Sequence, residues 1–145
     1  MSILALDVGD KRIGVARSDE LNSMAHLVGF VERKTDEDVL KKLNQFMEEF
    51  GAEKIVVGLP RTMKGETGTQ AEKVLAFVET LRSHLPYPII PWDERLTTVQ
   101  AERQMIAQDM SRAKRRKRRD AVAAEILLQS YLDFSKEREP KKEDV

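Results

Sequence analysis

Two short apolar runs open the chain, Ile3 to Val8 and Ile13 to Ala16, with a polar Gly-Asp-Lys-Arg turn between them. Continuous apolar character is typical of strands that are covered on both faces, and a glycine-containing turn between two such runs predicts a β-hairpin. The stretch from Met24 to Val31 predicts a third strand, antiparallel to the second. The chain is therefore expected to begin with three antiparallel strands.

Helical periodicity follows. Thr35 precedes three acidic residues, which is typical of a helix N-terminus, and Gly51 is placed to end that helix. The apolar positions between them recur with the helical period. A second amphipathic helix, which Pro86 ends, has its apolar positions on one side. They are Val74, Phe77, Val78, Leu81 and Leu85. Two short apolar segments, Lys54 to Gly58 and Ile89 to Trp92, predict strands on either side of that second helix.

The last third of the chain predicts two more helices. Thr97 and Gln100 form a capping box for one of them, and residues 120–134 predict the other. The resulting order is three strands, then helix, strand, helix, strand, helix, helix. This order predicts an α/β protein with a mixed five-stranded sheet and helices on both faces. We expect one domain over residues 1–134 and a charged, disordered tail over 135–145.

Composition narrows the class of protein. At 145 residues the chain can form one domain with a real core, and its 25 basic side chains balance 25 acidic ones. Global charge therefore gives no argument for nucleic acid, and only the distribution of charge can. The absence of cysteine excludes disulfides, Cys-ligated metals and thiol catalysis. Without a predicted signal segment or membrane span, a cytoplasmic location is expected.

Two carboxylates are predicted to meet at one edge of the sheet. Asp7 is near the carboxyl end of the first strand, and Glu94 lies just past the carboxyl end of the last. In open α/β sheets, ligands bind outside the carboxyl ends of parallel strands. An acid in an apolar strand is costly to bury unless it is hydrogen-bonded, paired or metal-bound. The alternative is that Asp7 only accepts a hydrogen bond from a nearby turn amide.

Asp120 is the third candidate. It shares a helix face with Ala123, Ala124, Leu127 and Leu128, which is the apolar face expected to lie on the sheet. It could equally be an acid that complements the helix dipole in the first turn. If Asp7, Glu94 and Asp120 do converge, three carboxylates and no cysteine favour a hard cation, Mg²⁺ or Mn²⁺. Two such ions hydrolyse phosphodiesters in other enzymes.

A basic run supports a nucleic-acid substrate. Seven of the eight residues from Arg112 to Arg119 are basic, and the run leads directly into Asp120. Such a run can also be a solvated surface. Basic and polar residues predicted for the same edge would hold the phosphate backbone without reading sequence, and so we expect the following to bind nucleic acid: Lys11, Arg12, Arg61, Lys64, Arg95, Thr97, Arg115, Arg116, Arg118 and Arg119.

Four ordered motifs resemble the YqgF (RuvX-like) family. They are Leu-Asp-Val-Gly-Asp-Lys-Arg-Ile-Gly-Val-Ala from residue 6, Gly-Leu-Pro from 58, Asp-Glu-Arg-Leu-Thr-Thr from 93, and Asp-Ala-Val-Ala-Ala from 120 with Ile-Leu-Leu-Gln after it. The family is described both as Holliday junction resolvases and as nucleases that mature the 5′ end of pre-16S ribosomal RNA. Its acidic positions fall on Asp7, Glu94 and Asp120.

The resemblance implies a ribonuclease H-like fold, divalent-metal phosphodiester hydrolysis and a part in ribosome biogenesis. Its two described substrates leave precursor rRNA and a DNA junction open, and the sequence does not distinguish a monomer from a homodimer. A non-cleaving RNA-binding assembly factor is the main alternative. The Asp-x-Gly hairpin also resembles the phosphate-binding strands of actin-like ATPases, which need two lobes where this chain supplies one.

Overall fold

The computed structural model describes residues 2–60, 68–93 and 112–138, and the side chains of the last segment are described over 122–135. The sheet is formed by β1 (Ser2–Val8), β2 (Arg12–Ser18), β3 (Ala25–Glu32), β4 (Ala52–Leu59) and β5 (Ile89–Asp93). The helices in these residues are α1 (Asp36–Phe50), α2 (Thr69–His84) and α3 (Arg112–Arg138). None of them is long and apolar enough to cross a membrane.

The five strands form one mixed sheet in the order β3-β2-β1-β4-β5. β2 pairs antiparallel with both β1 and β3, whereas β4 pairs parallel with both β1 and β5. The predicted α/β class and the three antiparallel strands followed by parallel ones are confirmed. β1, β4 and β5 therefore all end at the same edge of the sheet.

Both faces of the sheet are buried because alternate side chains of the central strands point to opposite sides. On one face Leu4 and Leu6 pack in a core with Leu43 of α1 and Leu81 of α2. On the other face Ile3 and Ala5 pack in a second core with the apolar side chains of α3, which are Ala124, Leu127, Leu128, Tyr131 and Leu132. This is why β1 has no polar face and appears in the sequence as a continuous apolar run.

Helix α1 begins and ends where its sequence predicts. The Thr35 side chain accepts a hydrogen bond from the Asp38 N–H, and the acids of the first turn complement the positive end of the helix dipole. At the other end Gly51 has left-handed backbone angles and its N–H bonds back to the last turn. Because both caps are local, the sequence alone predicts this helix.

Helix α3 is longer than the predicted segment 120–134. It begins at Arg112 and continues to Arg138, so the basic run is part of the helix and the first four residues of the expected tail belong to it. The prediction that the helix begins at Asp120 is wrong because Arg, Lys and Ala are strong helix formers and no glycine or proline interrupts the run. Residues 139–145, and the helix predicted from Thr97, lie outside the described residues.

Candidate functional site

Asp7 lies at the carboxyl end of β1, partly exposed, on the face that α3 covers. Its neighbours two and four residues earlier, Ala5 and Ile3, are buried in the α3 core, and strand alternation places Asp7 on their side. Across the antiparallel pair it is opposite Gly14 of β2. The sequence prediction that Asp7 lies at the carboxyl end of a central strand is therefore confirmed.

The carboxyl end of β5 lies at the same edge. Leu6 is opposite Val57 of β4, and Leu59 of β4 is opposite Asp93 of β5. Both pairings are parallel, so the ends of β1 and β5 point the same way and are separated by the single strand β4. Glu94 is the next residue in the chain after the end of β5, and it lies outside the described residues.

Asp120 belongs to the helical backbone of α3, eight residues after its start at Arg112, and its side chain lies outside the described part of the chain. It precedes Ala124, which is fully buried against the sheet, by one helical turn. Among the side chains that the structure describes, no group of three His, Cys, Asp or Glu could hold a metal ion. The side chains of two of the three predicted ligands, Glu94 and Asp120, are not among those that the structure describes.

The turn between β1 and β2 follows Asp7 directly and is held from two sides. Within the turn, the Gly9 N–H donates to the carbonyl oxygen of Arg12 at 2.9 Å. From the end of β3, the Arg33 guanidinium donates to the Gly9 carbonyl at 2.9 Å, and the Arg33 N–H donates to the Lys11 carbonyl at 2.9 Å. The Arg33 guanidinium also lies 5.0 Å from the centre of the Phe77 ring. Arg33 therefore fixes the backbone next to Asp7.

A basic groove lies beside this turn. Its volume is about 300 Å³, and it is lined by Lys11, Arg12, Phe30, Glu32, Arg33 and Lys34. Four of these six residues are cationic and one is anionic. The structure places the predicted nucleic-acid residues Lys11 and Arg12 here, together with four lining residues that were not predicted: Phe30, Glu32, Arg33 and Lys34. The signal that was available is the alternation of β3, which puts Phe30 on the face opposite buried Val31.

The other predicted nucleic-acid residues are not brought together by described contacts. Arg61, Lys64, Arg95 and Thr97 lie outside the described residues. The remaining four, which are Arg115, Arg116, Arg118 and Arg119, lie on the amino-terminal half of α3, where only the backbone is described.

Gln129 holds α3 against the sheet near the end of β1 that is remote from Asp7. Its side-chain oxygen accepts from the Ala25 N–H at 2.9 Å, and its side-chain amide donates to the Ser23 carbonyl at 3.1 Å. Ala25 is opposite Ser18 at the far end of β2, and the Ser18 hydroxyl in turn accepts from the Ile3 N–H at 2.7 Å. Gln129 thus lies level with the amino-terminal end of β1.

Trp92 contacts α3 from the last strand. Its ring meets Tyr131 and Phe134 edge to face, at 5.2 and 5.0 Å between ring centres. Its indole nitrogen is buried and has no hydrogen-bond partner among the residues that the structure describes. Trp92 therefore packs α3 against the sheet.

The fold is that of the ribonuclease H-like resolvases. The structure of "T. thermophilus RuvC in complex with Holliday junction substrate" matches it with a TM-score of 0.57, covering 93% of this chain and 96% of that one at 14% identity. The Fowlpox virus resolvase in complex with Holliday junction DNA matches with a TM-score of 0.53, covering 93% and 99% at 13% identity. At these identities the likeness is one of fold alone.

The chain belongs to the RuvX family, whose model, described as Holliday junction resolvase, matches residues 1–134. A relative from Desulforamulus reducens is 48% identical over 92% of this chain and 97% of its own length. Another, from Caldanaerobacter subterraneus subsp. tengcongensis, is 50% identical over 94% and 99%. Both carry the name "Putative pre-16S rRNA nuclease".

Proposed function

We propose that this chain is a divalent-metal-dependent nuclease that processes the 5′ end of precursor 16S rRNA in the cytoplasm. The observation that carries the proposal is Asp7 at the carboxyl end of β1, on the same edge as the end of β5, from which Glu94 follows. Membership of the RuvX family and the names of relatives that share about half of this sequence support the substrate.

The packing of α3 supports Asp120 as the third acid. Gln129 fixes the middle of the helix level with the amino-terminal end of β1, and the residues before Gln129 pack on the sheet. The nine residue steps from Asp120 to Gln129 span about 13.5 Å of helix, and the four residue steps from Ile3 to Asp7 span about 13 Å of strand. If the amino-terminal half of α3 runs toward the carboxyl edge, as we propose, these lengths bring Asp120 level with Asp7.

The three acids fit Mg²⁺ or Mn²⁺ by the chemistry of their donor set. Carboxylate oxygens are the ligands that these hard cations prefer, and three acids brought together without a cation would repel one another. Asp7, Glu94 and Asp120 would hold one or two ions. When bound, the metal supplies an activated water and stabilises the leaving oxygen of a phosphodiester.

The basic residues hold the substrate in this proposal. Lys11 and Arg12 lie beside the turn that follows Asp7, so a phosphate backbone that they contact passes close to that carboxylate. In this proposal the contact with the phosphate backbone is extended by the basic start of α3 and by Arg61, Lys64, Arg95 and Thr97. Interactions of this kind are salt-dependent and independent of base sequence.

Cleavage of a DNA junction is the second candidate, because the family model is described as Holliday junction resolvase. Cutting a junction symmetrically requires two active sites, which a homodimer would provide. The first candidate predicts that the protein, as a monomer or a homodimer, cuts precursor rRNA and leaves the junction intact. Binding of RNA without cleavage, as part of ribosome assembly, is the remaining alternative.

The test is cleavage of end-labelled precursor rRNA and of a four-way DNA junction, each in Mn²⁺ and in chelator. Asp7→Asn, Glu94→Gln and Asp120→Asn should each abolish metal-dependent cleavage, because every acid contributes a ligand. Asp10→Asn is the matched control, since Asp10 is an exposed acid of the adjacent turn, with 72% of its side chain accessible. RNA binding without cleavage by the wild type would favour the assembly factor.

A further inference from the structure

An exposed aromatic ring lies in the same cross-strand row as Asp7. Gly14 of β2 is opposite Asp7 on one side and opposite Phe30 of β3 on the other. Residues that are directly opposite in a sheet point to the same face, so Asp7 and Phe30 share the face that α3 packs against. Two strand spacings separate their backbones by about 10 Å. Because Gly14 has no side chain, no β2 side chain stands between the carboxylate and the ring.

Phe30 is 45% exposed, so its ring is accessible to a ligand. The Arg12 guanidinium lies 5.5 Å from the centre of its ring, on the strand next to it. An aromatic ring combined with neighbouring cations is the arrangement on which proteins stack unpaired bases while holding the phosphate backbone.

The surroundings of Phe30 have the charge that a polyanion requires. Lys11, Arg12 and Lys34 line the groove with it, and Arg33 adds a fourth cation that is held in place by the Gly9 carbonyl. Among the described residues that line the groove, the acid is Glu32, which lies 3.8 Å from Lys34 in a solvent-exposed ion pair that contributes little. The groove therefore keeps a net positive charge around the ring.

A β-bulge in β3 orients the Phe30 ring. The pairing of β2 with β3 shifts register between Val15 and Ala16, which leaves Val28 without an opposite residue. Gly29, immediately before Phe30, has a φ of 144°. Bulges of this kind bend an edge strand and redirect the next side chain. The orientation of Phe30 is thus set by a specific backbone feature of the strand.

We infer that Phe30 is a stacking platform for an unpaired base of the nucleic acid, next to the phosphate that lies at Asp7. The inference rests on the proposed nuclease function and deepens it, because it names a single-stranded segment as the form of substrate at the site. Lys11, Arg12 and Lys34 hold the phosphates on either side of the stacked base. A blunt duplex, whose bases are already stacked, offers no partner to the ring.

The test measures binding in chelator, so that cleavage does not contribute. The fluorescence anisotropy of a labelled single-stranded RNA, and of the DNA strand of the same sequence, reports the binding. Phe30→Ala should weaken binding by about fivefold or more, and Phe30→Trp should retain it. The loss should vanish for the same strand with abasic sites and for a blunt duplex. Leu21→Ala is the apolar control, since Leu21 is 85% exposed at the other end of the β2–β3 hairpin.

Two results would overturn the platform. The first is an unchanged affinity of Phe30→Ala for the intact strand. The second is an equal loss of affinity for the intact and the abasic strand, because the ring would then affect binding by supporting the fold and not by stacking on a base. Thermal unfolding of each variant checks that it is folded. Persistent cleavage by Asp7→Asn would instead overturn the proposed nuclease site and leave the binding result standing, so the two failures are distinguishable. The RNA and DNA arms show which sugar the groove prefers.

Discussion

The guanidinium of Arg33 donates a hydrogen bond of 2.9 Å to the carbonyl oxygen of Gly9, two residues after Asp7. Arg33 comes from the end of β3, and Gly9 from the turn between β1 and β2, so the bond joins parts of the chain that are 24 residues apart. The same guanidinium stacks on Phe77 of α2. The position of the proposed catalytic carboxylate therefore depends on a side chain that is not itself a ligand.

Arg33→Ala should lower the free energy of unfolding by about 1–3 kcal/mol, because it removes a charge-assisted hydrogen bond and a cation–π contact. Cleavage should slow roughly tenfold, through kcat more than KM, since about 1.4 kcal/mol of lost positioning corresponds to that factor. Arg33→Lys should not restore the rate, because an ammonium cannot reproduce the planar fork.

Arg17→Ala is the matched control for Arg33. Its guanidinium also stacks on a phenylalanine, 4.8 Å from the Phe50 ring centre, but it is paired with Leu4, away from the turn. A rate loss in Arg17→Ala as large as in Arg33→Ala would show that general destabilisation, and not the turn, explains the effect.

Gly9→Ala should distort the turn by close approach. A Cβ at Gly9 would lie 2.8 Å from the carbonyl oxygen of Arg12, a backbone atom that cannot rotate away. We expect a loss of about 1–3 kcal/mol in unfolding free energy and reduced cleavage. Asp10→Ala, in the same turn, removes only an exposed ion pair with Lys73 at 3.9 Å and should change stability by less than about 0.5 kcal/mol. Denaturant titration of both variants makes the comparison, and equal losses would contradict the steric argument.

Gly29→Ala should act through backbone strain and not through a clash. A Cβ at this position would have no atom within 4 Å, but the φ of 144° is one that residues other than glycine rarely adopt. The expected cost is about 1–2 kcal/mol, accompanied by weaker binding of single-stranded RNA because Phe30 is re-aimed. If the Gly29→Ala protein is destabilised but binds RNA with wild-type affinity, the bulge does not orient Phe30 for RNA binding.

Trp92→Phe should leave stability unchanged or raise it slightly. It keeps an aromatic ring against Tyr131 and Phe134 while removing a buried indole N–H that has no partner within the described part of the chain. Trp92→Ala should instead cost about 3–5 kcal/mol through the cavity it leaves. Because Trp92 is the single tryptophan of the chain, its fluorescence also reports the docking of α3. A clear loss of stability in Trp92→Phe would mean that the indole nitrogen has a partner.

The β2–β3 turn contains an acid with a shifted pKa. The Ser23 hydroxyl, then the Ser23 N–H, hydrogen-bond to the Asp19 carboxylate and lower its pKa below the usual value. A carboxyl group whose pKa is lower in the folded state stabilises that state above its ordinary pKa, and the contribution is lost as pH falls through the folded-state pKa. Ser23→Ala should raise the pKa of Asp19 toward its ordinary value in an NMR titration. An unchanged pKa would show that the backbone N–H bonds suffice.

Local pattern determined most of the fold. The two apolar runs around Gly9, the helical periods with their caps at Thr35 and Gly51, and the alternation of strands with helices are each written within a few consecutive residues. They predict the mixed sheet and place Asp7 at its carboxyl edge, because period and turn chemistry act over short distances. The start of α3 at Arg112 is not marked by hydrophobic period, because the basic run has no repeating apolar positions, although its residues favour helix.

The fold class and the edge of the sheet where Asp7 lies can be predicted from the amino-acid sequence, since both follow from hydrophobic period and chain order. The position of Phe30 in the row of Asp7 and Gly14, and the contact of Arg33 with the turn after Asp7, are seen in the folded protein and not in the sequence. Those relationships depend on strand register, on a bulge and on side chains that meet across many residues. Register is set by pairing across the whole sheet, so no local segment carries it.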